Sequence, residues 1–245
     1  MIAEIKGKLN DSRFDKAERL EDALTGNVFG NLRYLPLTKG LKRILKDGIF
    51  PQKQAEIFDN IDAEKWDDKI EFWPTYKESE PDILITFDNL VVLIEVKYNS
   101  PLSSCDQLER YAELLGFIAE DKEKVLILIA DEKEARSIYE ENVTNEGLST
   151  LGNIPFGYLT WQKTLDVLNM IKNNGVLDGF EEVIVNDLIE LLDLKGFGGF
   201  RSFDIGGLSV DKTEMWFFDD SVAVINDFSF LINLTVERGM YYEFG

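Results

Sequence analysis

The stretch Glu80-Pro-Asp-Ile-Leu-Ile-Thr-Phe-Asp-Asn-Leu-Val-Val-Leu-Ile-Glu-Val-Lys97 holds the residue types and spacing that could do chemistry. Two strand-like runs flank Asp88-Asn89, whose short polar side chains tolerate positive φ, so the spacing predicts a two-residue hairpin turn. Phe87 then faces Leu90, and counting outward from that pair sets Asp82 opposite Glu95. The period of two puts Asp82, Leu84 and Thr86 on the same side as Val91, Leu93, Glu95 and Lys97. The reverse side, Ile83, Ile85 and Phe87 against Leu90, Val92 and Ile94, is wholly apolar and should pack on a helix.

Like charges directly opposed across two strands destabilise a sheet. A divalent cation between them reverses that sign, since Mg²⁺, with Mn²⁺ as a substitute, takes oxygen ligands and commonly uses one or two carboxylates plus phosphate oxygens. Lys97, on the same face, could hold an attacking water or offset negative charge on a phosphate. The combination is the logic of metal-assisted phosphodiester hydrolysis.

Composition narrows the alternatives. The chain has 245 residues, no histidine and one cysteine. This excludes Ser-His-Asp and Cys-His catalysis, His-ligated zinc, an intramolecular disulfide and a CxxC redox pair. Carboxylates, lysine, hydroxyls and a hard cation held by oxygen are what remain. The amino terminus lacks the apolar stretch of a signal peptide, and no apolar run approaches the roughly 20 residues of a membrane helix, so a soluble, cytoplasmic protein with no membrane partner is expected.

The hairpin must be held by the elements around it. Ala17, Leu20, Leu24, Val28 and Leu32 recur at helical spacing from about Phe14 to Leu35, ahead of Pro36. A second amphipathic piece spans Leu37 to Ile49, and Gln52 to Trp66 is polar without a clear period. Strands are expected at Lys69 to Trp73, Asp82 to Phe87, Leu90 to Lys97, Val125 to Ala130 and Pro155 to Leu159. Helices are expected at Cys105 to Ile118, Lys133 to Glu141, Trp161 to Lys172 and Phe180 to Leu194. This alternation argues for an α/β fold with a mixed β-sheet flanked by helices. Residues 1–175 would form the core, and 176–245 a helical then β-rich C-terminal extension packed on it.

Pro81-Asp82 and Glu95-Val96-Lys97 match the signature of the PD-(D/E)XK nuclease superfamily, which the chain resembles over roughly residues 14 to 160. The resemblance implies a restriction-endonuclease-like core of a helix, a three-strand meander, a helix and a further strand. It also implies that Asp82, Glu95 and the backbone carbonyl of Val96 bind Mg²⁺ and that Lys97 is the catalytic lysine. Relatives often add a glutamate from the first helix; Glu21 is the choice here, with Glu18 one turn earlier as its rival. They also place a polar residue on the helix after the lysine strand, where Gln107 fits, either touching a phosphate or base or standing as a plain surface glutamine. Gly196-Phe-Gly-Gly-Phe-Arg201 is not explained by the resemblance; it is either a turn or a place where backbone approaches a ligand.

The formal charge of -20 opposes nucleic-acid binding, because phosphate neutralisation supplies most non-specific affinity. From Ala23 to Lys46 there is no Asp or Glu, while Arg33, Lys39, Lys42, Arg43 and Lys46 fall in the second half of that segment. They form either a local basic surface beside the carboxylates or the solvated face of an amphipathic segment. The first functional reading is a Mg²⁺-dependent endonuclease on DNA before RNA, in a bacterial or phage-defence setting by analogy with relatives. The alternative is a non-catalytic, nuclease-fold binding or regulatory subunit with a basic protein partner. A homo-oligomer is compatible with either.

Overall fold

The computed structural model describes residues 16–61, 66–77, 79–98, 102, 106–144, 149–152 and 154–198, with side chains from Leu20 onward. In chain order the elements are α1 (Lys16–Leu32), α2 (Leu41–Gly48), a 3-10 helix (Gln52–Phe58), β1 (Ile70–Phe72), β2 (Ile83–Thr86), β3 (Leu90–Val96), α3 (Gln107–Ile118), β4 (Glu123–Ala130), α4 (Glu132–Glu141), β5 (Phe156–Thr160), α5 (Trp161–Asn173) and α6 (Gly179–Leu194). The expected elements are all present within these residues, with ends shifted by a few positions. Residues 14 and 15 of the first expected helix, Cys105 of the next, and the β-rich part of the extension from residue 199 lie outside the described residues.

The fold is α/β, a mixed five-stranded open sheet in the order β1-β2-β3-β4-β5. β1, β2 and β3 run antiparallel in turn, and β3, β4 and β5 run parallel. β3 sits in the middle with both faces covered, which is why all seven of its residues are buried and why its sequence, Glu95 apart, is apolar.

The two sheet faces divide the core. Ile83, Ile85, Leu90, Val92 and Ile94 pack with Leu24, Val28 and Leu32 of α1 and with apolar residues of α2, α5 and α6. Leu84, Val91 and Leu93 pack on the other face with Leu108, Tyr111 and Leu115 of α3 and Ala135 and Ile138 of α4. The apolar face expected to meet a helix therefore meets several. α6, which falls in the expected extension, packs on α5 and α1 and contributes Ile184, Val185, Leu188 and Leu192 to the first core.

The hairpin keeps the expected register: Ile83 pairs with Ile94, Leu84 with Leu93, Ile85 with Val92 and Thr86 with Val91. Its turn differs in one respect. Phe87 N–H donates to the Leu90 carbonyl at 2.8 Å across Asp88-Asn89, but neither turn residue has positive φ. The neighbouring chain explains the difference: Lys122 Nζ takes the Phe87 carbonyl at 2.8 Å, and Glu123 N–H, at the start of β4, takes that of Asn89 at 2.9 Å. The turn is pinned from outside and does not rely on a left-handed pair.

Candidate active site

Register carries Asp82 and Glu95 to facing positions at the open end of the hairpin, one step beyond the Ile83–Ile94 pair. Asp82 lies just ahead of β2, and its carboxylate takes over pairing where the ladder stops: Oδ2 accepts Val96 N–H at 2.8 Å. On the other side Trp73 holds Asp82 twice, its indole Nε1–H donating to Oδ1 at 3.1 Å and its backbone N–H to the Asp82 carbonyl at 2.9 Å. Trp73 has φ 47, the one left-handed non-glycine among the described residues. A bulky side chain in that region is strained, at a cost on the order of 1–3 kcal/mol, and persists only where its surroundings fix it.

Glu95 is 2% exposed and Lys97 3%. Lys97 N–H extends the parallel ladder by donating to the Ile129 carbonyl, and Trp161 Nε1–H donates to the Lys97 carbonyl at 3.1 Å, so the backbone is held at both of its polar groups. The ammonium then bridges two elements, with Nζ 2.7 Å from Glu95 Oε1 and 3.1 Å from Glu21 Oε1 on α1. Glu21 Oε2 accepts Tyr98 N–H at 2.9 Å. Gln107, the first residue of α3, donates from Nε2 to Glu95 Oε1 at 2.7 Å and to the Tyr111 hydroxyl at 2.9 Å. Glu95 Oε2 is buried and has no hydrogen-bond partner.

Four buried acids, Glu21, Asp22, Asp82 and Glu95, thus share a region with one buried lysine. The imbalance appears in their protonation. Burial pushes Asp82 well above the ordinary carboxylate range, and the Glu95 charge pushes it further against the pull of Lys97 and the Val96 N–H; Asp22 adds a smaller push. Glu95 is raised by burial, with Lys97 opposing. Burial works to depress Lys97, but Glu95, Glu21 and Asp82 outweigh it and hold the ammonium above its usual value. Tyr111 is driven up by burial and then by Glu95, so it stays a neutral hydroxyl.

A cation fits this donor set. Among the described residues no three acids converge as a ready-made cage. Mg²⁺ does not require one, because it is held by one or two carboxylates and keeps waters and phosphate oxygens as its other ligands. Glu95 Oε2 is free to ligate, and each Asp82 oxygen accepts one hydrogen bond while having a second lone pair. Strand alternation sets the Val96 carbonyl on the same edge as its N–H, the edge that Asp82 occupies.

Asp82, Glu95, Lys97, Glu21 and Gln107 are therefore brought together. Gln107 reaches the cluster as a partner of Glu95 and is 5% exposed, so it is not a plain surface glutamine. Glu18 lies on α1, but its side chain falls outside the described residues. The five cations are not gathered with the carboxylates, and each is engaged elsewhere. Lys39 pairs with Glu181 at 2.7 Å, and Lys42 donates to the Asp59 and Ile61 carbonyls at 2.9 and 2.7 Å. Arg43 pairs with Asp47 at 2.9 Å and Lys46 with Asp59. Arg33 donates to the Tyr34 hydroxyl at 2.8 Å and lies over its ring.

Sequence reasoning missed Trp73, Asp22, Tyr111 and Trp161. For Tyr111 a signal existed, since it lies one helical turn from Gln107 on the same face. The two tryptophans reach the site only through tertiary contact. Comparison with protein families, with characterised proteins and with solved structures finds no match to this chain. No helix among the described residues is long and apolar enough to cross a membrane.

Proposed function

We propose that the chain is a Mg²⁺-dependent nuclease of the PD-(D/E)XK type, hydrolysing phosphodiester bonds of nucleic acid, DNA before RNA. The observation that carries this reading is the unpartnered, buried Oε2 of Glu95, at the strand position opposite Asp82, in a cluster with more acids than bases. Asp82, Glu95 and the Val96 carbonyl would hold the ion. When bound, Mg²⁺ would neutralise the paired acids, polarise the phosphodiester and acidify water beside it.

The residues themselves supply the rest. Trp73 and the Val96 N–H fix the Asp82 carboxylate, and Gln107 fixes that of Glu95. Because its neighbours raise Lys97, it remains an ammonium at neutral pH. Its role is a fixed positive charge and hydrogen-bond donor toward a phosphate oxygen, not that of a base. Glu21 orients that ammonium from α1.

The test is cleavage of plasmid and single-stranded DNA, and of RNA, with Mg²⁺ or Mn²⁺ by wild type, Glu95→Ala and Lys97→Ala. Each substitution is expected to lower the rate by about a hundredfold or more, the scale of removing one electrostatic contact to the transition state. Equal activity in all three proteins sinks the assignment. One observation favours a second reading, a non-catalytic subunit that meets a basic protein: the cations from Arg33 to Lys46 are engaged internally while the chain carries an excess of acids. Calorimetry decides between them, since uptake of Mg²⁺ that disappears in Asp82→Ala belongs to the nuclease.

A further inference from the structure

Three parallel strands end side by side, and the residue after each lines one cavity: Lys97 after β3, Asp131 after β4 and Trp161 after β5. An open α/β sheet holds ligands outside the carboxyl ends of its strands, where the connecting helices change face. The change occurs here, because α3 and α4 cover one face and α5 the other. The cavity measures about 150 Å³, several times the roughly 30 Å³ share of one water. That is room for a phosphate-sized group beside Lys97.

Its remaining wall comes from Lys195-Gly196-Phe197, the start of the glycine and aromatic run that the hairpin chemistry leaves unexplained. Phe197 stacks on Trp161 with ring centroids 5.7 Å apart and meets Tyr98 edge-on at 5.6 Å, which seats the segment against the core. Lys195 Nζ lies 5.5 Å from the centroid of the Tyr98 ring and makes no ion pair among the described residues. Gln162 also lines the cavity; its Oε1 is buried without a hydrogen-bond partner, and its amide NH₂ is the donor it could offer a phosphate. Asp131 is the one acid on the wall; its Oδ1 is occupied by Glu134 N–H at 3.0 Å, capping α4. α4 and α5 both begin at this wall, and the positive ends of their dipoles add to the charge of Lys195.

We propose that the cavity is a phosphate subsite in which Lys195 Nζ and the Gln162 amide hold a phosphate group of a nucleic-acid strand next to Lys97. The assignment rests on the nuclease reading only for what carries the phosphate. The experiment titrates the full chain with thymidine 5′-monophosphate and with inorganic phosphate, followed by NMR, for wild type, Lys195→Ala, Lys195→Arg and Gln162→Ala. A parallel arm measures Mg²⁺-dependent cleavage of a DNA oligonucleotide.

Wild type is expected to bind the nucleotide more tightly than inorganic phosphate. Lys195→Ala should weaken nucleotide binding roughly ten- to hundredfold, the loss of one charge-assisted hydrogen bond. Lys195→Arg should retain most of the affinity, and Gln162→Ala should lose less than Lys195→Ala. In the cleavage arm Lys195→Ala should raise KM more than it lowers kcat. The proposal is overturned if wild type binds neither probe or if Lys195→Ala binds the nucleotide as wild type does. Tighter uptake of inorganic phosphate than of the nucleotide overturns the assignment to a strand. If the binding pattern holds while no variant cleaves, the nuclease reading falls and the phosphate subsite stands.

Discussion

Among the described residues, buried acids occur in two settings, built on opposite principles. At the start of α6, Glu181 is 6% exposed and held by two donors: Oε2 accepts the Lys39 ammonium at 2.7 Å and Asp178 N–H at 2.8 Å. Asp178 returns the bond, its Oδ1 accepting the N–H groups of Phe180 and Glu181 at 2.9 Å each. This is a capping box with a lysine lid, in which two carboxylates meet three backbone N–H groups and one ammonium. At the mouth of the β2–β3 hairpin the acids outnumber the cation, both facing carboxylates are pushed up and Glu95 Oε2 meets nothing. Burial of a carboxylate therefore does not distinguish a structural site from one that waits for a ligand. The supply of donors does.

The largest effect expected from this contrast is on Lys97. Removing the one cation of an acid cluster leaves uncompensated buried charge, which costs roughly 3–5 kcal/mol. Lys97→Ala should lose that much in urea unfolding without divalent ions. The loss should shrink toward low pH, where the acids take up protons. Lys39→Ala removes a half-exposed partner from a site with other donors and should cost no more than about 1 kcal/mol. Equal losses in the two variants would erase the distinction.

Next in size is the response to Mg²⁺. Asp82 and Glu95 are raised in the folded chain, so the unfolded chain releases its protons first as pH rises. Stability in the absence of divalent ions should thus be fullest below the ordinary carboxylate range and fall as pH climbs through the raised values. Mg²⁺ competes with those protons. At a concentration a hundredfold above its dissociation constant it should add about 2.7 kcal/mol, with a larger rise in melting temperature at pH 8 than at pH 5. Asp82→Asn should lose this response. A rise that persists in Asp82→Asn would place the ion elsewhere.

Asp178→Ala sharpens the comparison from the other side. It removes an N-cap, worth about 1 kcal/mol, and should leave the Mg²⁺ response of the melting temperature unchanged. A reduced response would couple the two clusters through α6 and α1, which are in contact.

The contrast was half legible in the sequence. A two-residue turn and a strict period of two were enough to set Asp82 opposite Glu95, because register in a hairpin follows by counting outward from its turn. Glu21 was reached by another route, the resemblance to nucleases whose first helix often carries a glutamate, and Glu18 stood as its rival. The donors that complete the site were hidden, since Trp73 and Trp161 reach Asp82 and Lys97 through packing that no local pattern encodes. The cations from Arg33 to Lys46 show the same limit in reverse. Their segment contains no acid, so it reads as a basic surface, but carboxylate acceptors come from beyond it: Asp47 follows Lys46 directly, Asp59 lies 13 residues beyond Lys46 and Glu181 lies 142 beyond Lys39. Local composition gives the charge of a segment and not its field.

The smallest effect follows from that last point. A cation binding phosphate releases counterions, and each such contact contributes about 0.9 to the slope of log affinity against log salt. Lys42, Arg43 and Lys46 already hold carbonyls or carboxylates in the folded chain, and an ion pair of this exposure is worth up to about 1 kcal/mol. A phosphate would have to displace those acceptors for little net gain. Alanine at all three positions should therefore leave the salt slope of DNA binding within experimental scatter of wild type. The engaged arrangement is wrong if the slope becomes shallower by nearly 0.9 for each cation removed. In that case these side chains exchange Asp47 and Asp59 for the strand, and the acid-free segment is a docking surface after all.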